Sequence, residues 1–218
     1  MLSITCRCGA VHIEFFTQND LFRLECCCYD CTAALWYANK QGGPPRPTAQ
    51  CLDTSWLPND FNFSRGANKI GAFMNFENAD TTRFYCKECW TVLIADHPAY
   101  EKKLIATQVA GFTTYDGLQR AALMPLQSRH FVKDLRPDQL ATLPVWEGDP
   151  ANVYESASEL LMAQFPSMIA AGTAGTKMNA QRLLDKIGPA FVPTDEPRLT
   201  SGPATLMQQN DATADDST

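Results

Sequence analysis

Nine cysteines stand in this chain of 218 residues, and their spacing sorts them into groups able to hold metal. Cys6-Arg7-Cys8-Gly9 offers two thiolates across a turn that the glycine permits. Cys86-Lys87-Glu88-Cys89 offers two more between strand-like segments, as in half of a zinc ribbon. Zinc in structural sites takes four ligands, commonly as two close pairs. A site made of Cys6, Cys8, Cys86 and Cys89 would therefore join distant parts of the chain around one ion.

The run Cys26-Cys27-Cys28-Tyr29-Asp30-Cys31 is built differently. It follows an extended stretch, in which residues two apart face the same side. Cys26 and Cys28 then converge, Cys27 faces away, and Cys31 joins them after a turn. Three protein ligands with one exchangeable position is the catalytic pattern of zinc. A fourth ligand, Cys51 first and His97 second, would fill that position and make the site structural. Cys27 and Cys51 otherwise read as small buried hydrophobes.

An exchangeable zinc position can hold a substrate sulfur as thiolate and polarise a carbonyl beside it. The chemistry that suits is addition of a thiol to an aldehyde, or the reverse cleavage of a carbon–sulfur bond, assisted by a general acid or base. Tyr29 and Asp30 lie inside the cluster, Lys40 follows it, and His130 is the remaining candidate for proton transfer. His12 falls on the polar side of its strand. His97 precedes Pro98 and reads as a loop residue.

The elements that must position these groups are mostly strands. Val11, Ile13 and Phe15 alternate with His12 and Glu14, the period of a half-buried strand. Leu21 to Glu25, Lys69 to Phe76, Arg83 to Tyr85, Thr91 to Ala95 and Leu104 to Val109 also read as extended. Asn19-Asp20 and Asn78 to Asp80 are turn signals. Gln41 to Thr48, with Gly42, Gly43, Pro44, Pro45 and Pro47, is a loop. Helical patterning begins only near Asp149-Pro150, over Val153 to Phe165 and again over Lys177 to Ile187, which Gly188-Pro189 stops. The expected organisation is a zinc domain over 1–148, a helical extension over 149–190, and a disordered tail over 191–218. Beyond about Leu199 that tail holds few large apolar residues, too few to offset the entropy of ordering.

With 45% hydrophobic residues, the chain can build a core without relying on metal for it. A net charge of −6, with no basic run, excludes a nucleic-acid surface and an anionic membrane as partners. No apolar stretch is long enough to span a bilayer, and the N-terminus lacks the pattern of a secretory signal. A cytoplasmic protein is expected, in which disulfides do not persist and paired cysteines point to zinc.

Order and spacing of the motifs resemble the CENP-V/GFA domain family, named in part for the glutathione-dependent formaldehyde-activating enzyme. The matching residues are Cys6-Arg7-Cys8-Gly9, Cys26 to Cys31, and Arg83-Phe84-Tyr85-Cys86-Lys87-Glu88-Cys89 with Trp90-Thr91-Val92-Leu93. Arg129-His130-Phe131-Val132 and Leu143-Pro144 extend the likeness, which covers roughly residues 3 to 148. It implies a mainly β, Mss4-like zinc-binding fold of small antiparallel sheets, here followed by the helical extension. It also implies two zinc ions and carbon–sulfur lyase chemistry on a small-molecule thiol or thiol adduct, glutathione included, with the second zinc handling the sulfur. The sequence departs from the family at Trp90, where a glycine is usual, and at Thr32-Ala33, where a basic residue is common. The alternative is a non-catalytic Mss4-like zinc binding or interaction module, since a fold does not fix function. The C-terminal helices would cover the domain, close over the site or swap into a second copy as a homodimer.

Overall fold

Alternation along short strands builds the first sheet. In β1 (Leu2–Thr5) Leu2 and Ile4 are buried, and in β2 (His12–Phe15) Ile13 and Phe15 are buried, with part-exposed residues between them. These two strands and β5 (Phe61–Arg65) form a three-stranded antiparallel sheet in the order β1-β2-β5. This computed structural model describes residues 1–45, 51–108, 123–157 and 159–194.

The larger sheet has seven strands in the order β10-β3-β4-β9-β8-β7-β6. They are β3 (Phe22–Cys26), β4 (Leu52–Pro58), β6 (Ile70–Phe73), β7 (Thr82–Cys86), β8 (Val92–Asp96), β9 (Leu104–Gln108) and β10 (Arg129–His130). Its pairings are antiparallel except β10 with β3, which is parallel. The chain is therefore mainly β, with a helical C-terminal part, as the sequence leads one to expect.

Side chains of this sheet divide between its two faces. Leu57, Phe84, Leu93 and Ile105 join Ile4, Ile13, Phe15 and Phe61 in one core between the sheets. Leu24, Cys26, Trp56, Leu104 and Ala106 face the other way. At about 25 cal/mol per Å² of apolar surface, such double-sided burial stabilises the central strands from both faces.

Strands β1, β4 and β5 and helix α1 (Tyr29–Lys40) escape the sequence reading. Helix α1 begins within the second cysteine group, directly after Cys28, and ends where Gly42 takes a φ of 92°. Its small residues Ala33, Ala34 and Ala38 let it lie closely on Phe73, Tyr85 and Val92. Gly43 then packs so tightly that an added Cβ would come within 2.5 Å of the Ala38 carbonyl oxygen. The expected loop continues into 46–48, and the strand ending at Val109 into 109, both outside the described residues.

The helical extension differs from expectation at its start. Asp149 caps only a short 3-10 turn, Pro150–Asn152, through its carboxylate and the Ala151 amide. Val153 and Tyr154 run extended beside β10, with the Tyr154 amide donating to the Arg129 carbonyl. The exposed backbone of a sheet edge takes a partner strand in preference to a marginal helix. The short α2 (Pro137–Ala141) precedes this segment. Helix α3 then covers Glu159–Ala171, passing through Pro166, and α4 covers Ala180–Ile187, capped by the Asn179 side chain and stopped at Gly188. Leu161 and Met168 of α3 join the core beside Cys26, and Ala180 and Leu183 of α4 join the core between the sheets.

The expected disordered tail is corrected at its first residues. Phe191 bridges Phe73 and exchanges backbone hydrogen bonds with Ala72 and Met74. Residues 195–218 lie outside the described part of the chain. Among the described residues, no helix is long and apolar enough to cross a membrane.

Candidate metal centres

Two hairpin turns from different sheets meet at the first centre. In the β1–β2 turn, the Gly9 amide donates to the Cys6 carbonyl at 2.9 Å, and Gly9 has a φ of 73°. In the β7–β8 turn, the Trp90 amide donates to the Cys86 carbonyl at 2.8 Å, and Trp90 has a φ of 52°. Each turn aims two sulfurs at the other. The Sγ atoms of Cys6, Cys8, Cys86 and Cys89 all lie within 4.8 Å of one another.

Two of the spacings are 3.4 Å (Cys6 to Cys8) and 3.9 Å (Cys8 to Cys86). Zinc–sulfur bonds of about 2.3 Å in a tetrahedron place sulfurs about 3.8 Å apart, so this donor set fits a four-thiolate metal site. The Val11 amide donates to the Cys6 sulfur at 3.2 Å, and the Thr91 hydroxyl lies 3.1 Å from the Cys89 sulfur. Burial pushes the Cys6 and Cys86 thiols up. Burial also acts on Cys89, but hydrogen bonds from the Thr91 hydroxyl and nearby amides outweigh it and bring that thiol down to about 7.

The second centre sits where β3 passes into α1. Cys26 ends the strand, Cys28 caps the helix by accepting the Cys31 amide at 3.3 Å, and Cys31 lies in the first helical turn. Their sulfurs also lie within 4.8 Å of one another, and among the described residues no further His, Cys, Asp or Glu joins that group. The three thiols share charge unequally. Hydrogen bonds from Cys26 and Cys28, with the guanidinium of Arg83 nearby, hold Cys31 well below the ordinary thiol range. Hydrogen bonding to its two neighbours, then burial, pushes Cys28 well up. A ligand set that already favours thiolate at one member suits a divalent metal.

Cys51 is corrected. Cys26 pairs with Leu52 across β3 and β4, which sets Cys27 opposite Cys51, and these two sulfurs are bonded. Cys27 does face away from Cys26 and Cys28, and Cys51 follows it there, so Cys51 cannot complete the second centre. Both residues are buried, but as a cross-strand disulfide and not as separate small hydrophobes.

A cavity of about 370 Å³ opens beside the three cysteines. Cys26, Cys28 and Cys31 form part of its wall, with Asp30 and Arg83 next to them. Arg83 is 1% exposed and bonds to the Asp30 carboxylate, which also accepts the Asn75 side-chain amide at 2.6 Å. Asp30 thus lies at the site, engaged as the counter-charge of a buried cation.

The other expected proton carriers are placed elsewhere. Tyr29 donates its amide to Asp134 at 3.1 Å, and its ring packs beside the α1 core, off the cavity wall. His130 is fully buried, hydrogen-bonded to the Ser128 hydroxyl at 2.7 Å and packed on Tyr154. Burial lowers its pKa, which keeps it neutral near pH 7. Its backbone, not its ring, reaches the cluster, since its carbonyl accepts the Cys27 amide. Lys40 lies at the far end of α1, over the Trp36 ring. His12 is half-buried and bonded to the Thr5 hydroxyl.

Arg83, Tyr100 and Gln108 also line the cavity, and none of them stands out as a site residue in the sequence. Arg83 was visible as the first residue of the run into Cys86. Tyr100 carries no signal in the sequence, and burial pushes its phenol well up. His97 lines the cavity without joining the cysteine group; its Nδ1 accepts the Ala99 amide and its ring packs on Tyr100. Gln108, at the end of β9, adds a buried side-chain oxygen with no hydrogen-bond partner among the described residues.

No family model matches the chain, and no curated protein matches it. Among solved structures it is similar to a Rhodobacter sphaeroides protein at 18% identity and a TM-score of 0.36, over 55% of this chain and 94% of the other.

Proposed function

We propose that this chain is a zinc-dependent carbon–sulfur lyase, or a closely related catalyst, of the CENP-V/GFA type, acting on a thiol, a thioether or a glutathione-type adduct. The observation that carries this reading is the convergence of Cys26, Cys28 and Cys31 on the wall of a cavity. Its volume of about 370 Å³ falls within the range of small-molecule sites. The motif resemblance over residues 3 to 148 supports the same reading.

Zinc held by these three sulfurs would supply Lewis-acid polarisation and stabilise a substrate sulfur as thiolate. Arg83 favours the charged form of Cys31 and offsets the negative charge that accumulates at the cluster. Burial holds the proton on the Tyr100 phenol, which makes Tyr100 a hydrogen-bond donor on the cavity wall, with the His97 ring packed beside it. The apolar remainder of the wall excludes water from the reacting sulfur. Cys6, Cys8, Cys86 and Cys89 would hold the other zinc as a clasp between the two sheets.

Two variants test the division of labour. Cys28→Ser is expected to lose one of two zinc ions and all turnover of thiol–aldehyde adducts, with its melting temperature little changed. Cys86→Ser is expected to lose the cooperative melt itself, since structural zinc contributes about 10 kcal/mol or more of binding free energy in small domains. Retained turnover in Cys28→Ser would show that the second centre does not carry the reaction, whereas a parent chain with no turnover of any such adduct would leave a binding module.

A further inference from the structure

The walls of the cavity bear on which thiol it takes. Trp56, Tyr100 and Phe131 form one side, and Leu161, Met162 and Phe165 of α3 form another, with Phe165 stacked on Tyr100 at 6.0 Å. Helix α3 lies outside the 3–148 segment, so Leu161, Met162 and Phe165 are lining contributed by the extension. Arg83 is the only Lys or Arg among the described residues that line the cavity. Its guanidinium is already paired with Asp30 and also reaches the Thr81 carbonyl. A carboxylate entering here would meet apolar rings, the Asp30 charge and the cysteine sulfurs. Burying a charge without a partner is costly, whereas an alkyl or aryl group gains from the same surroundings.

Resting on the lyase reading above, we propose that the substrate is a thiol or thiol–aldehyde adduct with an apolar alkyl or aryl body, in preference to a carboxylate-bearing peptide thiol such as glutathione. The sulfur lies at Cys26, Cys28 and Cys31, and the carbon body lies along the apolar wall that Trp56, Tyr100 and the α3 side chains form together. Helix α3 is then the specificity element.

The full chain, loaded with cobalt in place of zinc, is titrated with phenylmethanethiol and with glutathione, and thiolate binding is read from the cobalt absorption. The expected result is binding of phenylmethanethiol at least about tenfold tighter, the gain from burying one aromatic ring. Equal or tighter glutathione binding overturns this inference and leaves the lyase reading standing. No spectral change with either thiol overturns both. Met162 lines the cavity yet is 61% exposed, so Met162→Arg should fold as the parent does. It is expected to narrow the preference by about two- to fivefold by pairing with a glutathione carboxylate at the rim. An unchanged ratio overturns the placement of the substrate body against α3.

Discussion

Arg83 is buried between a carboxylate and a thiol cluster, and its charge answers to both. Removing it strands Asp30 beside the cysteine sulfurs. Loss of one partner of a buried pair costs about 3–5 kcal/mol, and Asp30, being 32% exposed, keeps part of its hydration. Arg83→Met is therefore expected to lower stability by about 2–3 kcal/mol and to weaken metal binding at Cys26, Cys28 and Cys31, measurable by denaturant melts and zinc titration. Asp96 presents the opposite case. Burial raises its carboxyl to about 6 from 3.8. A folded-state value above the unfolded one means that its favourable contribution is complete below about pH 4 and is lost as pH rises through 6. At pH 7 the buried carboxylate is a cost, so Asp96→Asn should stabilise the fold by about 1–2 kcal/mol after allowance for partial exposure. That advantage should shrink as the pH is lowered from 7 to 5. A constant difference across that range would show that Asp96 does not titrate as its burial requires.

At the scale of elements, the β7–β8 turn carries a conflict that its ring contacts resolve. Trp90 occupies a left-handed backbone position, with a φ of 52°, that favours glycine. Its indole is stacked on Tyr85 at 4.3 Å and packs edge-on against Tyr37 and Phe191. Aromatic pairs contribute about 0.5–1.5 kcal/mol each, which outweighs a backbone cost of about 1 kcal/mol. The contacts also tie the turn to α1 and to the strand-like residues after α4. Trp90→Gly is expected to lower stability by about 1–2 kcal/mol, and Trp90→Ala by more, because alanine keeps the strain and loses the rings. Chemical denaturation should rank the parent above Gly and Gly above Ala. A glycine variant more stable than the parent would show that strain dominates this turn.

For the whole molecule, the four-cysteine group lies where turns of the two sheets meet, while the C-terminal helices close both cores. Leu161 and Met168 cover the second centre's side of the large sheet, and Ala180 and Leu183 are buried between the sheets. Ending the chain at residue 148 exposes both surfaces. Losing several buried side chains at about 1.5–3 kcal/mol each would consume a typical domain's whole stability. The truncated chain is expected to lack a cooperative melt even when saturated with zinc. A folded, two-zinc product of residues 1–148 would show instead that the extension is dispensable.

Much of this arrangement was legible in the chain itself. The close cysteine pairs follow from spacing alone, because cysteines two or three residues apart across a tight turn have little freedom to point elsewhere, while the meeting of Cys6 and Cys8 with Cys86 and Cys89 needs the two sheets to pack. The strands bearing Val11 to Phe15 and Leu104 to Gln108 follow from local alternation and apolar runs. Cys27 facing away from its neighbours needed only the two-residue period of a strand. What it faced was decided by the β3–β4 register, which no local pattern encodes, and that register gave Cys51 to Cys27 and kept it out of the second cysteine group. Burial of His130 and the Asp30–Arg83 pairing are likewise products of distant elements meeting. Tyr100, Leu161 and Phe165 line the cavity because a 3-10 turn and a late helix fold back over the sheet. The close cysteine spacings were set by short-range geometry and so could be read from sequence; the cavity beside Cys26, Cys28 and Cys31 was set by long-range packing and could not.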